Sequence, residues 1–203
     1  MTIMTKFKDF FVRYSYDAVK MLMTQIVIAL FGASVTIAVS SAWGVDHFMM
    51  LVAGIGGGLF YLFLLYNTAW RMGDIDRSPI SMGEHAYRPL TGLWVGLIAN
   101  LPNLVITVIG LIMTLVRGDM GSIPLIGSLL NGAYMGLLSY DFAAGEAVFQ
   151  LNSCWWSFAL FTLPSLALSA LGYALGAKGK MLTKINAYQP PKSDRPTREE
   201  RKD

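Results

Sequence analysis

The sequence predicts an all-α fold: a polytopic membrane helical bundle of about four transmembrane helices, with an N-terminal amphipathic helix and a re-entrant or short fifth apolar helix. Three observations predict it. Only 14% of the 203 residues are charged while 54% are hydrophobic, far from the quarter or so of charged residues that a soluble domain carries. Five uncharged runs, Met21–Val45, His47–Trp70, Pro89–Val116, Met120–Tyr140 and Ala147–Ala177, divide the chain, and a helix needs about 20 residues to cross a hydrocarbon core of roughly 30 Å. Nothing alternates with period two, which excludes the strands of a membrane barrel.

Ahead of the first run, Phe7, Phe10, Phe11, Tyr14 and Ala18 recur at helical spacing, with Lys6, Asp9, Arg13, Asp17 and Lys20 on the other side. This pattern suits a short amphipathic helix over residues 1–20, lying in the headgroup region as an anchor. Residues 21–177 form the transmembrane domain. The first apolar stretch is longer than a secretion signal's core, so it reads as a retained span.

Lysines and arginines set the orientation. Four precede Met21, three lie between Arg71 and Arg88, eight follow Ala177, and Arg117 stands alone. Basic residues accumulate in cytoplasmic loops, which puts both termini in the cytoplasm, in an integral membrane protein best suited to the plasma membrane. The crossings are then Met21–Ala42, Phe48–Trp70, Leu90–Val116 and Cys154–Ala177. The run "GSIPLIGSLLNGAYMGLLS" is left without a crossing to make. Its Pro124, its glycines and Asn131 suit a short or broken helix packed against protein. A fifth full span, with the tail outside, is the competing arrangement. Residues 178–203 form a basic, proline-bearing tail with the composition of a disordered segment, in which Lys178, Lys180 and Lys184 would be drawn to anionic lipid.

Four groups of residues are candidates for function. Asn100 and Asn103 share a helix face in "ANLPNL", and Asn100 lies roughly 15 Å from Leu90 along a helix, near the bilayer midplane. Pro102 should kink that helix and free the carbonyl of Ile98. Broken helices with exposed backbone at mid-depth bind solutes in many transporters, which makes Asn100, Pro102, Asn103 and Asn131 the candidate solute contacts. The alternative is that the amides tie helices together. Pro164 frees a carbonyl in the last span too, with Thr162, Ser165 and Ser169 placed to satisfy that of Leu160. Gly54 and Gly58, and Gly172 and Gly176, are spaced by four and offer close-approach faces for helix packing or a partner.

The last group is the charged stretch between the second and third spans. Arg71, Asp74, Asp76 and Arg77 read as a solvated connecting loop whose charges pair with one another, with a partner protein or with phosphate headgroups. Asp74, Asp76, Glu84 and His85 match no calcium loop.

Several classes are excluded or disfavoured. The single Cys154 precludes an internal disulfide and a cysteine metal cluster. Although the pI is near 9.0, the basic residues flank apolar runs instead of forming a nucleic-acid stripe. No Asp, Glu, Lys, Arg or His lies inside a predicted span, which disfavours a proton-coupled pump. No catalytic constellation, metal site or cofactor motif appears, and "GIGGG" lacks the strand and lysine of a nucleotide loop. The expected function is a small transporter, or the membrane subunit of one, binding an uncharged or zwitterionic solute near the midplane. A non-catalytic scaffold or accessory subunit that holds a partner is the alternative. Membrane lipids and a second copy or another membrane subunit are the expected partners.

Overall fold

Helices of this length in apolar sequence satisfy every backbone group internally, and helix is what the chain builds. The structure, a computed structural model, describes residues 3–84, 86–144 and 147–180. Helix α1 spans Ile3–Trp43, α2 Phe48–Ser81, α3 Thr91–Ala99, α4 Leu101–Arg117, α5 Ile123–Leu130, α6 Met135–Leu138 and α7 Trp155–Ala177. A 3₁₀ turn, Gly132–Tyr134, links α5 to α6, and an antiparallel hairpin pairs Phe142–Ala144 with Ala147–Phe149. Helices α1, α2 and α7 are long and apolar enough to cross a membrane, and α3 with α4 makes a fourth such element, bent by 60°.

Two boundaries differ from the sequence reading. The amphipathic stretch is not a separate element: α1 runs through it without a break for 41 residues. The charged stretch after Trp70 is not a loop either, because α2 continues to Ser81 and includes Arg71, Asp74, Asp76 and Arg77. Tertiary partners hold this extension in helical form. Gly73 lets the Tyr173 backbone approach, and Asp76 is bonded by side chains of α1 and α7. His85 and residues 181–203, with Lys184 and the bulk of the expected tail, lie outside the described residues.

Close contacts fix the relative directions. Gly172 meets α2 at Tyr66 and Ala69, and Gly176 meets it at Trp70 and Asp74, so α2 and α7 run parallel in backbone-to-backbone contact. Gly92 lies against Ser169 and Tyr173, while Gly110 faces Trp155, so the α3–α4 pair runs antiparallel to α7.

The fourth apolar run dips into the bundle and turns back. Its start is at Met120 and Ile123, beside Gly110 and Trp155. Its deepest part, Gly132–Tyr134, lies against Ala29 and Gly32 of α1 and against Gly57 and Gly58 of α2. It then returns along Met50 and Gly54 until the Asp141 amide reaches the Val45 carbonyl at 3.4 Å. Both ends of the run therefore lie at the end of the bundle that carries Val45 and Trp155. Gly54 and Gly58 do mediate close packing, as the sequence suggested, but against Gly136, Leu137 and Tyr134 of this insert and not against α7.

The core is built where these surfaces meet, around Met21, Met50, Leu65, Val95, Leu138, Phe158 and Tyr173. Outward faces stay apolar: Val27, Phe31, Leu59, Val108 and Leu115 are exposed, as helices facing lipid require.

The insert depends on missing side chains. A Cβ at Gly132 would collide with the Ala29 carbonyl, whereas one at Gly56 would meet nothing. Gly132→Ala should therefore cost about 2 kcal/mol or more in detergent unfolding assays, and Gly56→Ala should not lower stability.

Candidate functional site

Each break in a buried helix leaves backbone groups without partners, and the two breaks in this bundle are brought together. Asn100 occupies the break between α3 and α4, with Pro102 in the first turn of α4, where its missing N–H costs nothing. The 60° bend thus falls at Asn100, two residues ahead of the proline. Asn131 ends α5. Asn100, Asn103 and Asn131 are buried, none more than 4% exposed.

Their amides are used within the protein. Asn100 Nδ2 donates to the Gly96 carbonyl at 2.9 Å, one turn back along its own helix. Asn103 Nδ2 donates to Asn131 Oδ1 at 3.0 Å, and Asn131 Nδ2 donates back to Asn103 Oδ1 at 3.3 Å and to the Gly127 carbonyl at 3.0 Å. This reciprocal pair joins the kink of α3–α4 to the tip of the insert. Two amides exchanging hydrogen bonds carry no net charge, so the junction is buried at little electrostatic cost.

Unused polar groups lie beside the pair. A cavity of about 10 Å³, close to the size of one water, is lined by Gln25, Tyr61, Asn131 and Tyr134. Gln25 Oε1 and the Tyr134 hydroxyl are buried without a hydrogen-bond partner among the described residues. On α7, Thr162, Ser165 and Ser169 form a buried hydroxyl ladder, but they bond the carbonyls of Phe158, Thr162 and Ser165, not that of Leu160 as the sequence suggested. Each hydroxyl reaches back three or four residues to the nearest turn of its own helix, a shorter path than to the position freed by Pro164.

A second cluster closes the opposite end of the bundle. Asp76 is only 4% exposed. Arg13 Nη2 donates to its Oδ1 at 2.6 Å, and the hydroxyls of Tyr14 and Tyr173 donate to its Oδ2 at 2.6 and 3.0 Å. One carboxylate thereby binds α1, α2 and α7. Arg71, Asp74 and Arg77, grouped with Asp76 by the sequence, are exposed. Successive helical residues are about 100° apart, so these side chains do not share the direction of Asp76; the Arg77 guanidinium lies against Gly179, just past α7, and the Asp74 amide lies beside Gly176.

Sequence reasoning missed Arg13, Tyr14 and Tyr173 as partners of Asp76. Their separations of 63, 62 and 97 residues explain why. The available signal was the helical spacing of Asp76 from Met72 and Gly73, which puts the acid on their face if α2 continues. Among the described residues, no group of three or more His, Cys, Asp or Glu side chains could hold a metal ion.

Comparison with protein-family models, curated proteins and solved structures finds no match. The chemistry of the two clusters carries the functional reading. One is neutral and central, made of amides and hydroxyls; the other is charged and terminal, made of a carboxylate with three donors.

Two sets of variants weigh these clusters. Asn103→Leu and Asn131→Leu should each destabilise by about 1–2 kcal/mol, and the double variant by less than their sum, with a coupling of about 0.6–1.7 kcal/mol in an unfolding double-mutant cycle. Asp76→Ala should cost about 3 kcal/mol because it leaves Arg13 and two hydroxyls without their acceptor, while Asp74→Ala, at an exposed site, should change the unfolding free energy in the same denaturation assay by under about 0.5 kcal/mol.

Proposed function

We propose that this chain is a multi-pass membrane protein that passes or binds a small uncharged or zwitterionic solute at the junction of its two helix breaks. The observation that carries the reading is the Asn103–Asn131 pair, where a kinked helix pair and a folded-back insert meet in mid-bundle. Irregular backbone inside a membrane is tolerated where protein buries it or where it lines a polar pathway. Here the spare acceptor of Gln25 and the hydroxyl of Tyr134 stand beside the pair. A solute carrying its own donors and acceptors replaces the amide-to-amide bonds as the pair parts, so the pair is the gate. No formal charge lines this junction, which matches a neutral ligand.

In this reading α1, α2, the α3–α4 pair and α7 cross the plasma membrane, with the Asp76 end cytoplasmic. The run Met120–Tyr140 is a re-entrant hairpin dipping in from the outer face. A second copy of the chain, or another membrane subunit, completes the assembly. A further reading, an accessory subunit holding a partner protein, is favoured by the helical extension of α2, which keeps Arg71, Asp74 and Arg77 exposed beyond the apolar run.

The purified protein in liposomes tests the first reading by stopped-flow light scattering under gradients of glycerol, urea and glycine. Protein-bearing vesicles should equilibrate faster than empty ones for at least one of these solutes. Asn103→Leu/Asn131→Leu should return the rate to that of empty vesicles. Rates equal to those of empty vesicles for all three solutes would overturn the reading, and a stoichiometric second protein in native mass spectra, released by Arg71→Ala/Arg77→Ala, would favour the accessory role.

A further inference from the structure

Beside the Asp76 cluster the bundle opens into a cleft of about 80 Å³. Its walls come from four places in the chain: Phe10 and Arg13 on α1, Asp76 and Ile80 on α2, Arg88 ahead of α3, and Tyr173 on α7. A volume of this size has room for several waters or for one tetrahedral anion of similar bulk. We propose that this cleft binds a phosphate group, held between Arg13 and Arg88.

Charge and hydrogen-bonding capacity both point to this ligand class. Asp76 does not repel an anion as a free carboxylate would, because Arg13 and two tyrosine hydroxyls already bond its oxygens. Two arginines against one aspartate leave the lining with one net positive charge. Arg88 supplies it: its guanidinium has no ion pair or hydrogen bond among the described residues. Arg13 commits Nη2 to Asp76 and has further N–H groups, on a side chain that is 34% exposed. A guanidinium has five donors in a planar fork, a geometry that matches phosphate oxygens. Neither Arg71 nor Arg77, the residues that the sequence offered for headgroups, lines the cleft.

The remaining wall is apolar, from Phe10 and Ile80. It would accept the glycerol end of a phospholipid at the edge of the bundle as readily as it would shield a soluble phosphate from water. The ligand chemistry is the phosphate group in either case, and the source is decided by experiment. The proposal is independent of the solute reading, since it uses neither Asn103 nor Asn131.

The test uses the full chain, delipidated in detergent. It is given phosphatidylglycerol or a diacylglycerol of the same acyl chains, and bound lipid is read by native mass spectrometry. Wild-type protein should retain phosphatidylglycerol over diacylglycerol. Arg88→Gln, at an exposed position that leaves the Asp76 cluster intact, should weaken that retention about tenfold, the loss expected for one charge-assisted contact. Arg71→Gln should not. If excess inorganic phosphate fails to displace the lipid, the natural ligand is a headgroup; if it displaces the lipid and raises the melting temperature of wild type but not of Arg88→Gln, the site takes a soluble phosphate. Equal retention of both lipids with no stabilisation by phosphate would overturn the proposal, as would equal losses in Arg88→Gln and Arg71→Gln.

Discussion

A helix that stops inside an apolar bundle must find partners for its backbone within the protein, because lipid supplies none. Much of this fold follows from meeting that constraint twice in one place. The α3–α4 pair breaks at Asn100 and the insert breaks at Asn131. The carboxamides of Asn100 and Asn131 each bond a carbonyl one turn back, and the Asn103–Asn131 pair then fastens one break to the other. Such a junction needs the chain to come very close, and glycine makes this possible. Gly132 admits the α1 backbone, and Gly136 admits that of α2.

The other end of the bundle solves a different problem. Helices α1 and α2 outrun the apolar zone, and their projecting ends would fray without a tie. Asp76 supplies one by accepting from both neighbours at once. Its carboxylate is buried only because a guanidinium and two hydroxyls compensate the loss of water. Those same groups line the cleft beside it, together with Phe10, Ile80 and Arg88. One end of the molecule is thus organised by charge and its middle by neutral amides, a division that the local dielectric dictates.

The apolar runs made the long apolar helices legible, since α1, α2, the α3–α4 pair and α7 each fall on one of them. The broken helices of Met120–Tyr140 were legible too, from the glycines and proline of that run. Local pattern could not reveal continuity. Phe10 and Tyr14 look amphipathic in isolation, yet nothing between Ala18 and Met21 breaks a helix, and α1 runs straight through. The charged stretch after Trp70 looked like a loop because its composition is polar, whereas contacts nearly a hundred residues away keep it helical. Of the central site, the asparagines were visible as polar groups within apolar runs; that Asn103 finds Asn131 and not a neighbouring span was not, because amide pairing depends on a fold-back whose depth the sequence does not encode locally.

The separations around Asp76 also constrain how the bundle is put together. Arg13 and Tyr14 are already made when Asp76 emerges, so the α1–α2 hairpin can close its own side of the clamp early in synthesis. Tyr173 arrives 97 residues later. In the interval α2 carries a face of glycines and an acceptor awaiting its last donor, and the residues that will pack on Gly54 and Gly58 are made before those that lie along Tyr66 and Trp70. The parallel α2–α7 contact is therefore a late seam, made between the second and the last of the described helices, and it needs nearly the whole described length of the chain to form.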